Sequence, residues 1–391
     1  MRREPVMEKG ITWVGLDAHK KTIAVAVLHD NATKPIEWTI EHDAPSLKKL
    51  VKKLEREANG REIRACYEAG PCGFALARTL EKSSLVCEVI APSLIPRKPG
   101  ERIKTDARDA QKLASLLRAG LLTQVRPPTP QEEAMRDLCR CREHARLDLG
   151  RARHRLQKML VRRGIVFSGT SRLWSDRHRR WLREVHFDDA IEQSIFDDYA
   201  LAIEQIEERL RTLDRKLEEA AQLPLYRDVV ARLRCFRAID TCTAMIFACE
   251  LHGFERFESP QKLAAYLGLV PKLYASGDTA HRGGITKTGN KHVRRALLQS
   301  AWHYRHRPGV GAALRERRKG QSPRVIAIAD RAQRRLYTKF QRMLARRKTP
   351  NKVVVAVMRE LVGFLWAALQ PESRAPQKAS AARHGKEKRA G

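Results

Sequence analysis

The sequence predicts a mixed α/β domain, then a long helical hairpin, then a mainly α-helical C-terminal domain. Three observations carry this. Short β-branched runs alternate with amphipathic stretches through residue 119. Two long segments after residue 130 place apolar residues every three to four positions. Beyond Pro224 the pattern stays helical except for one glycine-rich interruption.

Residues 11–16 (ITWVGL), 23–29 (IAVAVLH) and 35–40 (PIEWTI) read as three strands. Leu47, Leu50, Val51 and Leu54 then recur at helical spacing within 45–58. A strand from Ile63 to Tyr67 follows, a helix opens after Pro71-Cys72-Gly73, and another strand runs from Leu85 to Ile90. Residues 105–119 close the domain as a helix with Ala110, Leu113, Leu116 and Leu117 on its apolar side. A three-strand meander continued by helix–strand units is the succession of an RNase H-like, or RuvC-like, α/β domain, here 1–126.

Pro127-Pro128-Thr129-Pro130 marks a change of character. Leu138, Ala145, Leu149, Ala152, Leu156 and Met159 form one heptad-like seam, and Ile195, Tyr199, Ala202, Ile206, Leu213, Leu217 and Ala220 a second. The expectation is a helical hairpin or coiled coil over 127–225, broken near 164–171. A C-terminal domain follows over 226–370, interrupted at 268–290 and ending in an apolar helix near 352–369. The segment Phe236–Asp240 with Thr243-Ala244 resembles a helix-hairpin-helix turn, but Ala238 and Asp240 stand where glycines are common, so packing is expected there. Residues 371–391 lack periodicity and read as a disordered basic tail.

Lys and Arg number 77 against 45 acidic residues, a formal net charge of +32. Residues 305–350 carry 15 basic residues and 2 acids, whereas 192–219 carry 4 and 9. Charge gathered in patches points to a polyanion, and nucleic acid before all others. Eight cysteines without a CxxC pair fit free thiols in a reducing compartment rather than zinc ligands. The N-terminus has no apolar core of a signal peptide, and Val353–Leu369 is too short and too charged for a membrane span. The expected setting is the bacterial cytoplasm, associated with the nucleoid.

Four acids follow from these elements. Asp17 (GLDAHK) sits just past the first strand and Glu68 (CYEAG) just past the fourth, strands that neighbour each other in an RNase H-like sheet. Asp106 and Asp109 (KTDARDA) are three apart on one helical face. Taken singly, each is an ordinary turn or cap residue. Together, in a chain this basic, they suit two Mg²⁺ ions, with Mn²⁺ as the alternative. One ion would activate an attacking oxygen and the other the leaving oxygen of a phosphoryl displacement.

The ordered set GLDAHK, YEAGPCG, IKTDARDAQKLA, and far downstream KLAAYLGLVP, SG and GGITKTGN, resembles the DEDD transposases of insertion sequences. The likeness covers roughly 11–125 and 228–305. It implies a DNA recombinase whose C-terminal domain holds a nucleophilic serine, here Ser276, activated by the acidic site of the same or a partner subunit. It also implies guidance by a structured bridge RNA and a homo-oligomer acting on element ends and target DNA. Gly277, Lys287, Asn290, Arg294 and Arg295 are the candidate nucleic-acid contacts, with 151–163 and 305–350 as candidate guide contacts. His19 and His281 read as structural. Two other readings stay open: a RuvC-type junction nuclease without serine chemistry, and an inactive nucleic-acid-binding repressor.

Overall fold

The computed structural model describes residues 10–96, 105–169, 173–276 and 279–371; the tail expected to be disordered lies outside them. The chain divides into two compact units, Met1–Thr129 and Pro130–Gly391.

In the first unit, β1 (Ile11–Ala18), β2 (Thr22–His29) and β3 (Ile36–Glu41) form an antiparallel meander. After α1 (Ala44–Ala58), β4 (Glu62–Glu68) returns parallel to β1. Helix α2 (Ala75–Lys82) leads to β5 (Val86–Ile90), parallel to β4. Helix α3 (Asp106–Arg118) leads to the two-residue β6 (Gln124–Val125). The six-stranded order is β3-β2-β1-β4-β5-β6, a mixed sheet consistent with an RNase H-like domain.

Strand alternation gives the sheet two buried faces. Val14, Leu16, Val25, Val27, Ala65 and Tyr67 pack with Leu47, Leu50, Leu54, Leu76 and Leu80 of α1 and α2. On the other face Ala24, Ala26 and Leu28 meet Ala110 and Ala114 of α3, while Cys66 and Ile90 meet Leu113 and Leu117. Both faces being covered explains why the strands read as continuous apolar runs. Asp17 and Glu68 do not lie past their strands, as the sequence suggested. Each is inside the strand, because the ladder persists through Ala18 and Glu68.

The second unit opens with α4 (Pro130–Arg162), which packs along α6 (Ala190–Ala220); the short α5 (Asp176–Glu184) lies between them in sequence. Ion pairs Arg142–Asp214, Arg153–Glu207 and Arg163–Glu192 show the two long helices to be antiparallel. The seam on α4 runs through Ala145, Leu149, Ala152, Leu156 and Met159. On α6 it runs through Phe196, Tyr199, Ile203, Ile206, Leu210, Leu213, Leu217 and Ala220. The sequence placed Ile195 and Ala202 there; both are one residue off, and Ile195 is exposed.

Helices α7 (Pro224–Arg234), α8 (Thr241–Leu251), α9 (Pro260–Tyr266), α10 (Lys291–Trp302), α11 (Ala312–Arg318), α12 (Pro323–Ala345) and α13 (Pro350–Leu369) complete the unit. Their shared core includes Phe236, Phe247, Leu297, Leu336, Val357 and Leu361, together with Cys139 and Leu217 from the hairpin's base. The glycine-rich interruption is an antiparallel ribbon, β7 (Pro271–Ser276) and β8 (Thr279–Ile285). No helix among the described residues is long and apolar enough to cross a membrane.

Candidate active site

The acidic site is built where α3 crosses β1. An ideal Cβ on Gly15 would lie 2.1 Å from the Ala110 carbonyl oxygen and 2.5 Å from the Ala114 nitrogen, so only glycine admits this approach. Asp17 shares the face of Gly15 by strand alternation, and Thr105 caps α3 by accepting from the Arg108 N–H. The first turn of α3 is thereby laid beside the end of β1.

There, Asp17 Oδ2 lies 3.2 Å from His19 Nε2, and Asp106 Oδ1 lies 3.5 Å from the same nitrogen. One ligand atom from each of Asp17, His19 and Asp106 falls within 4.8 Å of the others. Partial burial pushes the Asp17 carboxyl above its ordinary value; His19 opposes this, while Asp109 and Asp106 add to it. A half-buried carboxyl crowded by two more is the electrostatic condition that a bound cation relieves. The donor set therefore fits a divalent metal.

Glu68 is the last residue of β4 and exposed. The register pairs Leu16 with Tyr67, so Glu68 stands one level further along, beside Asp17, on the α3 face with Cys66. The structure thus brings Asp17 and Asp106 into one cluster, with Asp109 close enough to act on Asp17 electrostatically and Glu68 at the adjoining strand end. His19, read from sequence as structural, sits between two of the acids.

In the second unit, Ser276 closes β7 opposite Thr279. Its side chain, and Gly277 altogether, lie outside the described residues. The ribbon's base is well fixed. Thr286 and Lys287 donate backbone bonds to Val270 and Gly268, and a Cβ on Gly289 (φ +73°) would meet the Tyr266 carbonyl at 1.9 Å. Arg294 Nη1 donates to the carbonyls of Leu267 (3.3 Å), Thr288 (2.5 Å) and Gly289 (3.0 Å).

Asn290 caps α10, accepting from His292 and Val293 N–H groups, and its Nδ2 donates to Glu250 Oε2 at 2.6 Å. Arg295 Nη1 donates to Glu143 Oε1 at 2.6 Å, and His292 meets the same carboxylate. Three of the residues read as nucleic-acid contacts are thus engaged within the protein, where they tie the ribbon's base and α10 in place. Lys287 is exposed, at φ +59°. The Phe236–Asp240 turn buries Phe236 and Ile239 completely, as packing requires.

A further charged feature is a groove between α12 and α13, a cavity of about 590 Å³ lined by Arg331, Arg334, Arg335, Lys339, Arg342 and Arg346 with Glu360. Arg335 and Lys339 pair with Glu360. Among the described residues, the guanidinium groups of Arg331, Arg334, Arg342 and Arg346 have no protein acceptor.

Comparison with known proteins identifies the family. Residues 14–163 match a family model described as Transposase of the DEDD IS110 type, and residues 230–315 one described as Transposase IS116/IS110/IS902 family. The chain is 37% identical over 340 residues to the transposase for insertion sequence element IS1533 of Leptospira borgpetersenii, covering 86% of this chain and 97% of that protein. It is 38% identical over 357 residues to the putative transposase y4qE of Sinorhizobium fredii, covering 91% and 87%. A further relative, 27% identical over 246 residues, is the transposase for insertion sequence element IS1328 of Yersinia enterocolitica, with 59% and 68% covered. Identity at this level over nearly the whole of both chains places the protein in the IS110/IS116 family of insertion-sequence transposases, enzymes of DNA strand transfer.

Proposed function

We propose that the protein is a site-specific recombinase that mobilises its insertion sequence, with Asp17, Glu68, Asp106 and Asp109 as a divalent-metal site for Mg²⁺ or Mn²⁺. The meeting of Asp17 and Asp106 where α3 crosses β1 carries this reading. When bound, such ions stabilise the attacking and leaving oxygens of a phosphodiester displacement. The protein's own contribution is to gather the carboxylates at the ends of the central strands β1 and β4, where Gly15 lets α3 approach.

Ser276 is the nucleophile of this reading. Its Oγ displaces one ester oxygen from the phosphorus, leaving the DNA esterified to the serine and a hydroxyl on the released strand. A hydroxyl from a second strand then reverses the step and frees the serine. Support comes from family membership and from the fixed base of the ribbon that Ser276 ends.

The partners in this reading are the DNA of element ends and target, a structured guide RNA, and further copies of the chain. The domains are 1–126, 127–225 and 226–370, and the α4–α6 pair acts as a coiled coil in oligomer contacts. Exposed Ile191, Ile195 and Leu201 on α6 support that role. The α12–α13 groove, with its four unpaired guanidinium groups, supports phosphate contact.

The test is recombination between element ends and target, scored alongside a protein–DNA adduct on denaturing gels. Asp17→Asn and Glu68→Gln are expected to abolish both products. Ser276→Ala is expected to abolish the adduct and the rejoined strands. Full recombination by Ser276→Ala would remove the serine chemistry, and activity in both acid variants would remove the metal site. Sequencing the RNA that purifies with the protein tests the guide.

A further inference from the structure

We infer that His19 is a metal ligand, so that the first ion is held by a mixed nitrogen and oxygen set of Asp17, His19 and Asp106. This rests on the metal-site reading above and alters its chemistry. Four carboxylates form an oxygen-only site, which suits Mg²⁺. An imidazole in the set favours a transition ion over Mg²⁺, which prefers oxygen and water in a strict octahedron.

The geometry is specific. His19 Nε2 stands 3.2 Å from one carboxylate oxygen and 3.5 Å from the other, and one donor atom from each of the three residues lies within 4.8 Å of the others. The same nitrogen thus approaches both acids, and the three donor atoms lie close enough together to serve one ion.

The backbone that carries the ring is also fixed. The His19 N–H donates to the Thr22 carbonyl at 2.9 Å, and His42 Nδ1 lies 2.6 Å from the His19 carbonyl oxygen. His42 N–H donates to Lys21 O at 2.8 Å, and the Cys72 thiol donates to the Ala18 carbonyl at 3.4 Å. The β1–β2 turn is thus tied to the start of α1 and to the loop before α2. A ligand on such a turn loses little conformational freedom on binding metal. The ring is itself half exposed, leaving open coordination positions on the solvent side for substrate oxygens.

The test uses the full chain with Mn²⁺ and Mg²⁺ alone, with no DNA. Binding of Mn²⁺ is followed by electron paramagnetic resonance, with Mg²⁺ as competitor, in the wild type, His19→Ala and Asp17→Asn. Circular dichroism checks that each variant is folded. In the wild type the spin-echo modulation of bound Mn²⁺ is expected to show a directly coordinated nitrogen, altered by ¹⁵N-histidine labelling and lost in His19→Ala. That variant is also expected to weaken Mn²⁺ by roughly tenfold or more, and Mg²⁺ by less.

Mn²⁺ bound without nitrogen modulation, or equal weakening of both ions by His19→Ala, would make His19 a positioning residue and overturn the inference. Tight Mn²⁺ binding by folded Asp17→Asn would instead overturn the acidic metal site on which it rests.

Discussion

Gly15 lets β1 approach the backbone of α3 at Ala110: a single methyl on Gly15 would overlap the Ala110 carbonyl oxygen. The contact joins the strand that bears Asp17 to the helix that bears Asp106 and Asp109. Gly15→Ala is therefore expected to force α3 away from β1, destabilising the unit by about 1–3 kcal/mol. It should also lower metal affinity and recombination although no acidic residue is changed. Hydrogen exchange across β1 and α3, with Mn²⁺ titration, measures both effects.

Glu250 is almost fully buried, with Arg140 donating from Nε at 2.8 Å and from Nη2 at 3.0 Å, and Asn290 donating at 2.6 Å. Burial pushes its carboxyl up, but Arg140, Asn290 and Arg136 outweigh burial and hold it below the ordinary glutamate value. A lowered value in the folded state means that its ionised form adds stability above about pH 4.3, and that this stability fades as the pH falls further. Glu250→Gln is expected to cost about 2–4 kcal/mol at neutral pH, the partial exposure of Arg140 tempering the loss. The gap between variant and wild type should narrow on acidification. Urea unfolding at a series of pH values reads this out; a gap that widened in acid would refute it.

The groove between α12 and α13 makes a prediction in salt. For duplex binding, each phosphate that a side chain no longer neutralises lowers the slope of log affinity against log salt by about 0.9. Arg334→Gln with Arg342→Gln is expected to reduce the slope by about two with random-sequence duplex DNA, because neither guanidinium is spent on the protein. Anisotropy titrations from low to moderate salt give the slope, and an unchanged slope would exclude the groove.

Phe196 and Ile195 differ in a way that fixes the hairpin's register. Phe196 is buried against Phe187, with ring centroids 5.7 Å apart, whereas Ile195 faces solvent. Phe196→Ala is expected to destabilise the hairpin by about 3–5 kcal/mol, and Ile195→Ala to stay within about 0.5 kcal/mol. Thermal unfolding of the two variants separates the registers.

Much of the acidic centre is legible in the sequence because strand succession is written in β-branched runs and because Asp106 and Asp109 fall three apart on a helix. The role of Gly15 is not, since a glycine in a buried strand gives no sign of which helix will press on it. His19 escapes a reading of the sequence because one histidine near one aspartate is common; only the third dimension adds Asp106. The β7–β8 ribbon is hidden by Gly283 and Gly284, which break the alternation that marks a strand. On α6 the period reveals the seam, yet Ile195 and Phe196 are both apolar and periodicity alone does not choose between them. The pairing of Glu250 with Arg140, and of Glu143 with Arg295, joins residues more than a hundred positions apart and leaves no local trace.

The three ion pairs that run in opposite order along α4 and α6 have a mechanical consequence. Arg142, Arg153 and Arg163 each find an acid at one setting of the two helices, so sliding one past the other breaks every rung together. At the far end Phe167, Trp174 and Trp181 pack around His178, and at the near end Cys139 and Leu217 belong to the core of the C-terminal unit. The hairpin therefore joins that aromatic tip to the core through two helices whose ion pairs specify one register. That core also holds α9 and α10, the helices that flank the β7–β8 ribbon.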